Sequence, residues 1–118
     1  MTKSEMSRAD VEAMIQAVDG KPIDLHDKAL SGLDLSALNL RGATMRTARL
    51  NKATDLTDVV LMGSDLSGAN PTGATVAGAD FKNVDISGAR LIDLRGQSEA
   101  EDWAERVNVD RAITQAIN

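Results

Sequence analysis

The sequence predicts an all-β solenoid with helical ends. Three observations lead there: large apolar residues recur every five positions through the middle of the chain, aromatic side chains are nearly absent, and amphipathic stretches opened by capping boxes sit at both termini. A period of five matches neither a helix, which repeats near 3.6 residues, nor a flat strand, which repeats at two. It matches a chain that turns a corner after each short side.

Composition bounds the interior. The chain has 118 residues and a net charge of −5, with one Trp (Trp103), one Phe (Phe81) and no Tyr. That length corresponds to one domain, but the side chains that usually dominate a core are missing, so the interior must be narrow. The absence of Cys excludes disulfides and thiolate metal sites and fits a reducing compartment. MTKSEMSRAD contains no apolar signal core, and no stretch approaches the ~18 consecutive apolar residues of a membrane span. The expectation is a cytoplasmic protein without a membrane span.

Residues 1–22 read as an N-terminal capping helix. Ser7 and Asp10 have capping-box spacing, Val11, Met14, Ile15 and Val18 form an apolar stripe, and Gly20 supplies a stop. A solenoid end exposes apolar side chains and backbone groups, and this helix is expected to plug the first one.

Residues 23–93 carry the repeat. Leu25, Leu30, Leu35, Leu40, Met45 and Leu50 fall five apart; the frame slips by one residue near Ala53; then Leu56, Leu61, Leu66, Pro71, Val76, Phe81, Ile86 and Leu91 continue it, fourteen units in all. Two positions before each centre stand mostly small or apolar residues, among them Leu38, Ala43, Val59, Ala69 and Val84. Two inward residues separated by one outward residue is strand alternation, and the remaining two can turn a corner. Glycines two positions after many centres, such as Gly42, Gly63 and Gly68, suit that corner.

Units such as LDLSA (33–37), ADFKN (79–83) and ARLID (89–93) resemble the pentapeptide-repeat proteins, whose pattern is roughly A(D/N)LXX, and the resemblance extends from Ile23 to Asp93. It implies a right-handed quadrilateral β-helix with four units per coil, hence about three and a half coils in this chain. Lys28 and Ser64 depart from the pattern at inward positions and Pro71 at a centre. Taking every fourth unit as one face stacks Leu25, Met45, Leu66 and Ile86 on face one and Leu30, Leu50, Pro71 and Leu91 on face two. Leu35, Leu56 and Val76 then fall on face three, and Leu40, Leu61 and Phe81 on face four. The slip at Ala53 falls between faces two and three, where an outward corner bulge keeps both columns aligned. Pro71 lacks a backbone donor, so face two is expected to be irregular there.

Residues 94–118 read as a C-terminal helical segment. Ser98 and Glu101 make a second capping box, followed by Trp103, Ala104 and Val107, and Val109, Ala112, Ile113 and Ala116 give a further stripe. One or two helices are expected after Gly96. Trp103, Ile113 and Ile117 are more apolar than one narrow coil end requires, so the segment either caps its own coil or forms a twofold dimer through the helices.

Nothing in the chain assembles a catalytic group. His26, the one histidine, is expected on the surface between Asp24 and Asp27; no nucleophile pairs with a base; and the glycines keep a period of five instead of opening a helix as a phosphate loop does. The expectation is a protein without enzymatic activity, cofactor or metal. Function then lies in what projects outward. Face four places Val60 and Met62 outward beside Arg41 and Lys82, a candidate docking spot. The preferred reading is a scaffold or protein–protein interaction module presenting rigid flat faces, with no direct binding of nucleic acid. The resemblance also implies an alternative, because one branch of the family modulates type II topoisomerases by imitating DNA. Against it, residues 23–93 hold nine Asp and no Glu beside seven Lys or Arg, a net charge of −2, whereas duplex DNA carries one charge per ~1.7 Å of axis.

Overall fold

Parallel backbone bridges tie each side of the chain to the side one coil further on. The computed structural model describes residues 6–96, Ala100 and the backbone of residues 113 and 114. Within it, four ladders run along the molecule: Asp24–Thr44–Asp65–Asp85 on face one, Ala29–Arg49–Asn70 on face two, Asp34–Asp55–Thr75–Arg95 on face three and Asn39–Val60–Asp80 on face four. Each bridging residue is held from both sides. Leu25 N–H donates to the Thr44 carbonyl at 2.7 Å, and Thr44 N–H donates to the Ile23 carbonyl at 2.9 Å. This is the parallel pattern, and it makes the chain a β-helical solenoid.

Corners take two of every five residues. A β-turn closes most of them, as when Ala43 N–H donates to the Leu40 carbonyl at 3.0 Å, and the turn's third residue lies in the left-handed region. Asp27 (φ 59°), Ala37 (φ 60°), Asp58 (φ 57°) and Asn83 (φ 58°) adopt it alongside the glycines. At Gly63 (φ 75°) a Cβ would meet nothing within 4 Å, so the reason for glycine there is conformational and not steric. With two of five residues in the turn, each side contributes a single bridging residue instead of an extended strand. Two-residue strands occur at β1 (Arg90–Leu91) and β2 (Ile113–Thr114).

The interior is filled by the two residues flanking each bridge. Leu25, Leu30, Leu35, Leu40, Met45, Leu50, Leu56, Leu61, Leu66, Val76, Phe81, Ile86 and Leu91 are all buried, as are Ile23, Leu38, Val59, Val84 and a series of alanines two positions before a centre. Pro71 is buried too. Leu50 N–H donates to the Asn70 carbonyl at 2.9 Å, and Pro71 has no N–H for the equivalent bond one coil on; Arg90 N–H to the Ala69 carbonyl and Gly73 N–H to the Ile92 carbonyl, both 3.0 Å, hold on either side. The irregularity on face two is one missing bond. Lys28 stands exposed at an otherwise inward position in the first coil, where the long stem can carry its charge to water.

The extra residue falls at the corner after Asn51. Asp24 bridges Thr44, twenty residues on, but Asp34 bridges Asp55, twenty-one on. Lys52 (φ 61°) and Ala53 (φ 63°) both turn left-handed to absorb it. Thr54 seals the bulge from inside: fully buried, its hydroxyl donates to the Asn51 carbonyl at 2.9 Å and accepts from Gly32 N–H at 2.9 Å. Ser64 contrasts with it, because its buried Oγ has no hydrogen-bond partner among the described residues.

Helix α1 (Arg8–Ala17) covers part of the first coil. Its capping box joins Asp10 N–H to Ser7 Oγ at 3.2 Å and Ser7 N–H to Asp10 Oδ2 at 2.9 Å; Val11 is buried in the core, and Met14, Ile15 and Val18 pack against it. Arg8 anchors the helix to face three, its Nη1 donating to the carbonyls of Asp34 at 2.9 Å and Ser36 at 3.1 Å. At the other end the expected helix through Val109–Ala116 requires correction at residues 113 and 114, which form β2 and pair in parallel with β1, Arg90 opposite Ile113. The last coil presents backbone donors and acceptors along its edge, and a β-branched Ile–Thr pair suits that edge better than a helix interior. Trp103 and Ile117 lie outside the described residues.

Asp and Asn at the bridging position serve the next corner. Oδ1 accepts the N–H two residues on at Asp34 (Ser36, 3.0 Å), Asn39 (Arg41, 3.1 Å), Asp65 (Ser67, 2.9 Å), Asn70 (Thr72, 3.2 Å) and Asp80 (Lys82, 3.0 Å). These are Asx-turns. The hydrogen bond from the Ser36 hydroxyl, followed by that from Ser36 N–H, holds the Asp34 carboxyl below the ordinary range, and hydrogen bonds from the His26 side chain and backbone do the same for Asp24.

Three outcomes follow for stability. Leu66→Ala should cost about 2–5 kcal/mol in denaturant unfolding, because the tube cannot collapse around the hole, and Ser67→Ala on the outer side should cost less than about 0.5 kcal/mol; equal losses would refute the inward and outward assignment. Thr54→Val should destabilise by about 1 kcal/mol, whereas Ser64→Ala should be neutral or stabilising by a similar amount, since one removes a satisfied group and the other an unsatisfied one. Because the folded pKa values of Asp24 and Asp34 are depressed, the stability they contribute is present above the unfolded value and is lost as pH falls through the folded values, below about pH 4. Asp34→Asn, which keeps the Asx-turn, should leave the fold intact and flatten that acid limb in a pH series of thermal melts.

Candidate interaction surface

Face four interrupts a polar ladder with an apolar pair. Val60 bridges Asn39 on one side and Asp80 on the other. Met62 lies between Arg41 and Lys82 in the adjoining column, its carbonyl accepting Gly42 N–H at 2.9 Å while Gly63 N–H donates to Lys82 at 3.0 Å. Both apolar side chains are half-buried. Asn39 and Asp80 fold back to accept the amides of Arg41 and Lys82. The solenoid therefore presents Val60 and Met62 on a flat wall with a cation at each end of the Met62 column.

A cleft of about 250 Å³ adjoins this wall where α1 meets the first coil. Ile15, Pro22, Ile23 and Leu40 line it, with Lys21 and Arg41 at its polar rim. Arg41 is shared between cleft and wall.

Face one has different chemistry. Asp24, Asp65 and Asp85 share its ladder with Thr44. His26 Nδ1 lies 2.7 Å from Asp24 Oδ1 and its Nε2 3.9 Å from Asp27 Oδ2, with all three side chains largely exposed. Arg46 Nε stands 3.9 Å from Asp65 Oδ2. Asp65 Oδ1 accepts both the amide and the hydroxyl of Ser67, so a local turn already accounts for a carboxylate at that position. Among the described residues no cluster of His, Asp or Glu is arranged to hold a metal ion, and no helix is long and apolar enough to cross a membrane.

Ile113 lies in β2 against the face-two edge, where its backbone alone is described, and Trp103 and Ile117 fall outside the described residues. Arg8 and Thr54, which fix the helix and the corner bulge, carried little sequence signal. Arg8 is one charged residue at the start of a helix, and Thr54 is a small residue at an inward position where small residues are the rule.

Comparison with known proteins places this geometry. The profile of Pentapeptide repeats (8 copies) matches residues 30–68 and 54–91. Among solved structures, alr5209, a pentapeptide repeat protein from Nostoc PCC 7120, aligns over 97% of this chain and 100% of its own with 23% identity and a TM-score of 0.67. HetL from Nostoc sp. strain PCC 7120, a pentapeptide repeat protein involved in heterocyst differentiation regulation, aligns over 81% of this chain and 43% of its own with 28% identity and a TM-score of 0.53. No curated protein matches. The likeness to solved structures implies a right-handed coil, and with fourteen five-residue units, four parallel ladders and a family profile spanning residues 30–91, the chain belongs to the pentapeptide-repeat family.

Proposed function

We propose that this chain is a non-catalytic interaction module that presents rigid flat faces to a protein partner, with Val60 and Met62 at the centre of one contact. The observation that carries the reading is the partly exposed apolar pair on face four, Val60 in an otherwise polar ladder and Met62 beside it between Arg41 and Lys82. A wall whose backbone is bonded on both sides loses little conformational entropy on binding, and an apolar centre with a charged rim is the usual anatomy of a protein contact. HetL is involved in the regulation of heterocyst differentiation; a module acting through contacts is compatible with regulatory roles of that kind. The cysteine-free composition fits action in the cytoplasm.

Residues 1–22 and 94–118 serve, in this reading, as end pieces of the solenoid spanning 23–93. The pairing of β2 with β1 supports self-capping by the C-terminal segment over a dimer through Trp103, Ile113 and Ile117. DNA imitation has less support. The Asp column of face one is broken by Thr44, countered by Arg46 and explained by its Asx-turns.

Affinity capture with the intact chain tests the proposal. Val60→Ser with Met62→Asp should abolish recovery of the specific partner while circular dichroism and melting temperature stay unchanged, because both positions lie on the outer wall. Unchanged recovery would dispose of face four as the contact.

A further inference from the structure

Face two carries charge opposite to that of the whole protein. Lys28, Arg49, Lys52 and Arg90 are all exposed, and none enters an ion pair among the described residues. Its ladder residues are Ala29, Arg49 and Asn70, continued by Arg90, so no carboxylate stands in the column; Asp27 lies beside it at a corner. Lys28, Arg49 and Lys52 line a cleft of about 320 Å³ together with Ala29, Asn51 and one acid, Asp27. In a chain of net charge −5, Arg49 and Arg90 on this wall and Lys52 at its corner make no ion pair among the described residues, while the Lys28 charge acts on Asp24.

We propose that face two receives an acidic α-helix of a partner protein, laid lengthwise along the solenoid. This deepens the interaction-module reading and rests on it, but uses a different wall. Successive rungs of a parallel ladder are about 4.8 Å apart. Arg49 and Arg90 are two rungs apart on face two, about 10 Å, and Lys28 lies one rung before Arg49, whose N–H donates to the Lys28 carbonyl at 3.0 Å. A helix rises 1.5 Å per residue, so carboxylates three or four positions apart recur at about 5 Å and those seven apart at about 10.5 Å along one side. Both spacings match the cations. Ala29, one rung before Arg49, and Asn70, between Arg49 and Arg90, are short side chains in the ladder and leave a flat bed. An extended acidic strand repeats its same-side groups at about 6.8 Å and fits neither spacing. Duplex DNA, with a charge every ~1.7 Å, would bring phosphates beside Asp24, Asp65 and Asp85 on the adjoining wall.

The test is a fluorescence-anisotropy titration of the intact chain against a synthetic helical peptide with Glu along one side. Its controls are an isomeric peptide with the same residues scattered round the helix and a duplex oligonucleotide. The one-sided peptide should bind. Arg49→Ser with Arg90→Ser should weaken it by about tenfold or more, as should raising the salt from about 0.05 to 0.3 M. Arg46→Ser on face one and Val60→Ser with Met62→Ser on face four should leave it unchanged. The inference is overturned if the Arg49/Arg90 variant binds as well as the parent, if the scattered isomer binds equally, or if the oligonucleotide binds more tightly than the peptide. No binding at about millimolar peptide also overturns it, yet leaves face four to be judged by its own capture experiment. Loss of peptide binding in the face-four variant alone would reject face two while upholding the module.

Discussion

A tube this narrow has no second layer of side chains to absorb an error. Each inward residue is packed between the residues one coil above and below, and the backbone ladder sets the vertical spacing at which they meet. Register is therefore the constraint on which everything else depends. The paired bonds around each bridging residue, such as those of Thr44 to Leu25 and Ile23, keep like positions stacked on four walls at once. A slip on one wall would move inward residues outward on all later ones.

The insertion at the corner after Asn51 shows how that constraint is met. The extra residue is confined to the turn by two consecutive left-handed residues, Lys52 and Ala53, and Thr54 ties the bulge to Gly32 in the neighbouring coil. The ladder resumes with Asp34 opposite Asp55. Pro71 is tolerated on the same grounds: its missing donor removes one rung bond, while bonds on either side hold the wall in register. Corner and wall are separable. Insertions are accommodated at corners, and losses on walls are limited to a single bond.

The same separation shapes the surface. Bridging Asp and Asn residues point outward and curl back to serve the next turn, so their position follows from folding before any partner is considered. This makes a column of Asp a weak sign of function. The informative residues are those without a local duty: Val60 and Met62 on face four, and Arg49 and Arg90 on face two. Their walls differ in chemistry yet share one rigid frame, so two different contacts can be held at a fixed relative angle.

Much of this could be read from the letters. The period of five, the units matching A(D/N)LXX, the one-residue slip and the capping box of Ser7 and Asp10 are local or periodic features, and a solenoid converts periodicity along the chain directly into neighbours in space. The family assignment rests on the same signal. What sequence could not decide is whatever depends on an edge or a non-repeating partner. Ile113 fits a helical stripe with Val109, Ala112 and Ala116, yet residues 113 and 114 pair with the edge of the last coil, because an exposed row of backbone donors and acceptors outweighs a short helical pattern. Arg8 reaches the carbonyls of Asp34 and Ser36, contacts that no spacing encodes. Sequence alone determined the repeat, because each unit meets only its own kind; tertiary structure decided the ends, the sealed bulge and which cations stand unpaired, because those depend on residues far apart in the chain being brought to one place.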